Sequence, residues 1–261
     1  MLNSCTCILG VFIFFIGLCL GSFLTAFSYR LARGENFWTD RSRCPKCKNI
    51  IAWYDNIPLL SYMLLQGKCR NCGYKISLRY PLIELSTALI FLFVFTFKGL
   101  PLQGVYSTLN LVYLLFISIF LIAIFIIDFE YQIIPDELVF ILLSLAFFAN
   151  LDDGQIFSHI LAGFSVSLFL LLLNFVTYGK GMGLGDVKLA LFGGMSFGFS
   201  QTIMWIFLSF IIGAIVGVFL IMIGKAKFGR QIAFGPFMVV SFFIVLFFGD
   251  QMILILLPFM R

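Results

Sequence analysis

Residues 189–224, LALFGGMSFGFSQTIMWIFLSFIIGAIVGVFLIMIG, run for 36 positions without a charged side chain. As one straight helix the run extends about 54 Å at 1.5 Å per residue, well beyond the roughly 30 Å hydrocarbon core of a bilayer. It is therefore read as two membrane spans with a turn near Gly198–Gln201. The whole chain shares its character. Of 261 residues, 62% are hydrophobic and 11% charged, more apolar surface than a soluble domain of this size can bury.

Charges cut the rest into segments, and the fold expected is an all-α polytopic integral membrane protein of about eight transmembrane helices. Span one is Ile8–Phe27, span two Leu82–Phe97 and span three Leu102–Ile127. Spans four and five are Leu138–Leu151 and Ile156–Tyr178; the long run supplies six and seven; Ile232–Leu257 is the eighth. Span one has no basic residue before it and ends in Ser28-Tyr29-Arg30 rather than a small-residue cleavage site. It reads as a retained span, not a secretory signal. Cys5 lies too close to Met1 to follow a lipoprotein-type apolar region.

Residues 28–81 are the one substantial polar block and hold ten of the seventeen Lys/Arg residues. The positive-inside rule makes the block cytoplasmic. Alternation puts 128–137, 179–188 and 225–231 on the same side, the last with Lys225, Lys227 and Arg230. The loops near Lys98 and Asp152-Asp153 fall outside. The net charge of +5 is thus mainly a topology signal, and no nucleic-acid partner is expected. Spans four and six are short, which is tolerated where a segment lines a wet cavity.

Within the polar block stand Cys44-Pro-Lys-Cys47 and Cys69-Arg-Asn-Cys72, with 21 residues between the pairs. Two such pairs offer four thiolates to one tetrahedral zinc ion. Gly73 suits the tight turn after the second pair, and Lys46, Lys48, Lys68 and Arg70 favour ionised thiols. Disulfides or redox-active thiols are the alternative, which a cytoplasmic location opposes. Four cysteine ligands leave no open position for water, so the metal expected is structural. Cys5, Cys7 and Cys19 are read as packing residues.

Two carboxylates sit at cytoplasmic membrane boundaries: Asp128, in IIDFEYQIIPD, and Asp186, in GMGLGDVK. Both segments run toward one face, so the two groups can meet at similar depth. Aspartic proteases need that arrangement, since one carboxylate activates water while the other, protonated, polarises the scissile carbonyl. Two close carboxylates in a poorly solvated site share a proton. Gly183 and Gly185 would let a substrate strand approach Asp186. The residues alone leave alternatives open. Asp186 suits a helix cap, and Asp128 with Glu130 a solvated boundary. Membrane carboxylates also serve proton transport, and a zinc-stapled assembly protein would need neither. Asp136, after Pro135, reads as a first-turn residue of span four, and Lys188 as facing headgroups. The single histidine, His159, falls on the other side from both aspartates, which opposes a Ser–His or Cys–His hydrolase.

Taken together, the motifs resemble the bacterial type IV prepilin peptidases, the bifunctional leader peptidase and N-methyltransferase family of GxGD aspartic proteases. The resemblance rests on Gly21-Ser22-Phe23-Leu24 with Tyr29-Arg30-Leu31, on both cysteine pairs, and on WYDNIPLLSY at 53–62. RYPLIE at 79–84, Asp128 with Ile134-Pro135-Asp136, GLGDVK at 183–188 and FGPF at 234–237 complete it. It implies cleavage of the basic leader of type IV prepilin or pseudopilin precursors, after glycine and on the cytoplasmic side, with Asp128 and Asp186 as the catalytic pair. It also implies methylation of the new N-terminal residue, usually phenylalanine, from S-adenosylmethionine. Glu84 is the candidate cofactor-binding residue by resemblance, and no soluble-type nucleotide-binding glycine motif is present. The implied location is the bacterial inner membrane, multi-pass in the lipid bilayer, serving pilus, type II secretion or competence pseudopilus assembly. Residues 1–98 would be the methyltransferase-associated half and 99–261 the peptidase domain. Thr25, Ala32 and Ala233 depart from residues common in the family, the first two within the methyltransferase-associated half.

Overall fold

The computed structural model describes residues 4–31, 34, 42–100, 104–151, 154–179, 181–224 and 232–256. The loop residues Lys225, Lys227, Arg230, Asp152 and Asp153 lie outside them, as do Ala32 and the side chain of Cys5. Regular structure among the described residues is helical, apart from two isolated β-bridges. The chain forms two compact units, residues 1–123 and 124–261.

The first unit holds α1 (Ser4–Leu31), a 3-10 turn (Trp53–Asn56), the short α2 (Leu60–Leu64) and α3 (Arg79–Val94). A π-helical turn, Phe95–Gly99, continues α3. Small residues let α1 and α3 approach closely. A Cβ added at Gly17 would stand 2.7 Å from the Ala88 α-carbon, and one at Gly21 2.7 Å from that of Glu84. Any side chain at either position would push the two helices apart. Helix α4 (Gly104–Tyr131) begins in this unit and ends in the next.

The second unit adds α5 (Asp136–Ala149), α6 (Ile156–Val176), α7 (Leu184–Met222) and α8 (Gly235–Leu256). Its core lies along α7. Phe192 stacks on Phe242 with ring centroids 5.4 Å apart, and Phe197 meets the same ring at 4.5 Å. Trp205, almost wholly buried, donates its indole N–H to the Met238 carbonyl at 2.8 Å. The outward faces stay apolar, with Phe164, Phe207 and Ile215 all exposed, as lipid-facing helices require.

Among the described residues, six helices are long and apolar enough to cross a membrane. Helix α5, with 14 residues, is too short to count among them. The long uncharged run is interrupted within the expected stretch. Gly198, at φ 70° and ψ −175°, leaves helical geometry, and two helices meet across a kink there. That conformation is essentially restricted to glycine. The break costs backbone hydrogen bonds in apolar surroundings, and these must be replaced locally. Asn150 Nδ2 donates to the Met195 carbonyl at 3.1 Å, and His159 Nδ1 lies 2.9 Å from the same oxygen. The Thr202 hydroxyl donates to the Gly198 carbonyl. The single histidine thus helps to cap an interrupted helix.

Candidate active site and thiol cluster

Asp128 lies in the last turn of α4, which Gln132 closes with a left-handed φ of 57° and an N–H bond to the Asp128 carbonyl at 2.9 Å. Asp186 is the third residue of α7. Its Oδ2 accepts the Gly183 N–H at 3.0 Å, so the capping role expected of it is real. Both aspartates are buried, at 5% and 7% exposure, although both lie near helix ends.

Ile134 links the two sites. A Cβ added at Gly185 would stand 2.9 Å from the Ile134 Cβ, and one at Gly235 would stand 3.2 Å from its Cδ1. The same Cβ at Gly235 would lie 2.5 Å from Asp128 Oδ2. The glycines of GLGD and FGPF therefore close around one cluster, where the charges of Asp128 and Asp186 are near enough to interact. Asp128 Oδ2 is buried without a well-formed hydrogen bond, the Gly235 amide being the backbone donor that acts on this carboxylate. A buried acceptor so poorly paired is costly.

The supporting bonds around Asp186 have no signature in sequence. Asn174 Nδ2 donates to the Met182 carbonyl at 2.5 Å, and the Asn174 carbonyl accepts the Gly179 N–H at 2.9 Å. The Gly181 N–H donates to the Thr177 hydroxyl at 3.2 Å. Ser167 Oγ donates to the Val187 carbonyl at 3.0 Å. The glycine-rich segment before Asp186 is thus anchored to the end of α6. Lys188 does not simply face outward: its Nζ pairs with both oxygens of Asp136 at 2.7 Å.

In the first unit, the Sγ atoms of Cys44, Cys47, Cys69 and Cys72 all lie within 4.8 Å of one another, and the four could hold a metal ion. The two cysteine pairs fold alike. Cys44 accepts the Lys48 N–H at its carbonyl, as Cys69 does that of Gly73. Lys48 and Gly73 each take a positive φ, at 61° and 68°. Cys44 and Cys72 sulfurs are 3.8 Å apart, far beyond the ~2.05 Å of a disulfide and matching the ~3.8 Å edge of a tetrahedron with Zn–S bonds of about 2.3 Å. The Cys47 backbone N–H leads in drawing the Cys44 thiol down to about 6. The Tyr74 amide favours the Cys72 thiolate, but burial and the other three cysteines push that thiol up to about 11. Four thiols this close ionise together only around a cation. Beside them, Arg70 grips Asp55 with Nη2 at 2.6 Å and Nε at 2.9 Å.

Glu84 is buried in α3. Its Oε2 accepts the Leu59 N–H at 2.8 Å, and the Ser22 hydroxyl also bonds to it. Arg79 donates to the Thr25 carbonyl at 3.3 Å and to Ser28 Oγ at 2.9 Å. The motifs GSF, WYDNIPLLSY and RYPLIE, separate in sequence, meet around these groups.

Two family models match the chain. Residues 15–97 match the Bacterial Peptidase A24 N-terminal domain, and residues 115–218 the Type IV leader peptidase family. A Prepilin leader peptidase/N-methyltransferase of Pseudomonas aeruginosa is 34% identical over 266 residues, covering 90% of this chain and 89% of its own. Proteins of the same name from Neisseria gonorrhoeae and Vibrio cholerae are 37% and 36% identical, covering 90% and 89% of this chain and 89% and 94% of their own. No solved structure matches. The chain belongs to the type IV leader peptidase family, the bacterial prepilin peptidase enzymes, and carries that family's bacterial N-terminal domain ahead of its peptidase domain.

Proposed function

We propose that the chain removes the short basic leader of type IV prepilin or pseudopilin precursors, cutting after glycine on the cytoplasmic side, and N-methylates the new N-terminal residue. The observation that carries this is the cluster in which Asp128 and Asp186 stand buried near enough to interact while glycines 185 and 235 close on the same isoleucine. Asp128 and Asp186 act as the catalytic pair. The ionised member takes a proton from water as the oxygen attacks the scissile carbonyl. The protonated member donates to the developing oxyanion. Collapse of the tetrahedral species breaks the C–N bond, and the leaving amine takes up a proton from the pair. The cut frees the amine that is then methylated.

Zinc is the metal proposed for the four thiolates, in a structural role. Its tetrahedral preference fits the sulfur spacing, and all four positions are filled by protein. S-adenosylmethionine supplies an electrophilic methyl group when bound. Glu84 is the residue proposed to contact it, since a buried carboxylate suits a cationic or hydroxyl-bearing ligand, although one of its oxygens already holds Leu59. The first 98 residues are assigned to methyl transfer and the remainder to cleavage. Eight membrane passages, in the bacterial inner membrane, are proposed by adding α5 and dividing α7 at Gly198. This arrangement serves assembly of a pilus, a type II secretion system or a competence pseudopilus.

The test is processing of a purified prepilin by reconstituted enzyme. Asp128→Asn and Asp186→Asn should each abolish leader removal with expression unchanged, and mass spectrometry of the wild-type product should find a methylated N-terminus. Normal processing by either variant rejects the pair, and an unmethylated product rejects the second activity.

A further inference from the structure

The segment between the two cysteine pairs carries an exposed apolar face. In α2, Leu60, Met63 and Leu64 follow the i, i+3, i+4 spacing of one helix face, and are 51%, 73% and 73% exposed. Trp53, in the 3-10 turn just before, is 81% exposed.

Their position along the membrane normal is constrained. The Leu59 N–H, at the start of α2, is bonded to Glu84, which is buried five residues into α3. α3 with its π turn is one of the helices long and apolar enough to span a bilayer. Five residues correspond to about 7.5 Å of helix rise. The start of α2 is therefore fastened alongside the second turn of a membrane helix, at the level where hydrocarbon gives way to headgroups. The exposed Leu78 and Leu82 of that end of α3 lie at the same level.

The surrounding charge is one-sided. Residues 42–79 contain seven Lys/Arg and a single acidic residue, Asp55, which Arg70 neutralises. Arg43, Lys46, Lys48, Lys68 and Lys75 are all exposed. An apolar face on a loop rich in exposed cations matches a leaflet of anionic phospholipid and is a poor seat for a cationic peptide.

We infer that residues 53–64 form an interfacial anchor that seats the cysteine-bearing loop on an anionic bilayer surface, with Trp53, Leu60, Met63 and Leu64 inserted among the lipids. The anchor fixes the loop's height and tilt without any further span.

The whole enzyme, reconstituted in phosphatidylcholine vesicles with and without phosphatidylglycerol, supplies the test. Trp53 fluorescence is obtained by subtracting the spectrum of Trp53→Phe from that of the wild type. A phosphatidylcholine brominated at carbons 6 and 7 should quench the Trp53 signal by half or more, and aqueous iodide should leave it nearly unchanged, most clearly when phosphatidylglycerol is present. Met63→Glu/Leu64→Glu should raise iodide quenching several-fold while the metal content of the protein stays constant. Strong iodide quenching in the wild type overturns the inference. So does protection from both quenchers, which would mean that protein, such as a second copy of the chain, covers the face.

Discussion

Lys188 and Asp136 are 52 positions apart in sequence, yet Lys188 Nζ lies 2.7 Å from each carboxylate oxygen of Asp136. The pair joins the first turn of α5 to the second turn of α7. It therefore holds the segment after Asp128 against the one that carries Asp186. Both side chains are about half exposed, and such pairs contribute roughly 0.2–1 kcal/mol. Asp136→Asn or Lys188→Met should barely change thermal stability but slow leader cleavage by about two- to fivefold, the same energy range. The exchange Asp136→Lys/Lys188→Asp should recover part of the loss. Rates on a prepilin, set beside melting curves, separate the two effects.

Gly235 should tolerate no side chain. The Cβ of alanine would stand 2.5 Å from Asp128 Oδ2, inside any van der Waals contact. Gly235→Ala is expected to reduce cleavage at least about tenfold, because misplacement of a reacting group by an ångström costs on that order or more. Metal content should be unaffected. Cleavage assays and metal analysis on the same preparation check both halves.

Removing a thiol should act on the loop first. Cys44→Ser or Cys72→Ser leaves three sulfurs where four lie within 4.8 Å, and metal binding in small sites of this kind contributes much of the folding free energy. Bound zinc should fall well below one equivalent and protease cleavage between residues 42 and 78 should accelerate. A strong chelator should do the same to the wild type.

The Asp55–Arg70 pair sets a pH dependence for the loop. The Arg70 guanidinium, through its hydrogen bonds, holds the Asp55 carboxyl below the usual carboxylate range. The folded loop thus binds this proton less readily than the unfolded chain. Its stabilisation is complete above the unfolded value, near pH 4, and is lost as pH falls through the lower folded value. Proteolytic resistance of the loop should decline below about pH 4 in the wild type, whereas Asp55→Asn should be weaker at neutral pH and lack that component of the decline.

Gly198→Ala should destabilise the second unit by about 1–3 kcal/mol, the usual cost of forcing another residue into glycine-only geometry. The backbone there has φ 70° and ψ −175°, and the new Cβ would also stand 3.3 Å from the His159 ring. Thermal unfolding in detergent measures the loss. Gly179→Ala has a positive φ but open space around it, and provides a control for left-handed geometry alone.

The helices and the clusters were legible in sequence to different degrees. Spacing alone brought together Cys44, Cys47, Cys69 and Cys72, because paired knuckles repeat a local fold. The aspartates needed more. Their charges marked membrane boundaries, and alternation of the spans put them on one face, but the isoleucine between them belongs to packing that no periodicity encodes. The interruption of the long apolar run was legible from its length, and it falls at Gly198. Its support was not legible: Asn150 and His159, far away in sequence, satisfy the carbonyl that the break leaves free. The Asp136–Lys188 pair was not legible for the same reason: its members stand 52 positions apart on different helices.

The two short helical pieces of the second unit carry a consequence for the lipid around them. At 1.5 Å per residue, the 14 residues of α5 extend about 21 Å. The stretch of α7 before Gly198 is of similar length. Each is some 9 Å less than the hydrocarbon thickness of an ordinary bilayer. On the proposed eight passages, a hydrophobic mismatch of this size would draw the headgroup layer inward beside the protein. Bulk solvent would then reach deeper there than elsewhere in the membrane, and a peptide bond emerging from an apolar helix could meet a water molecule without leaving the lipid.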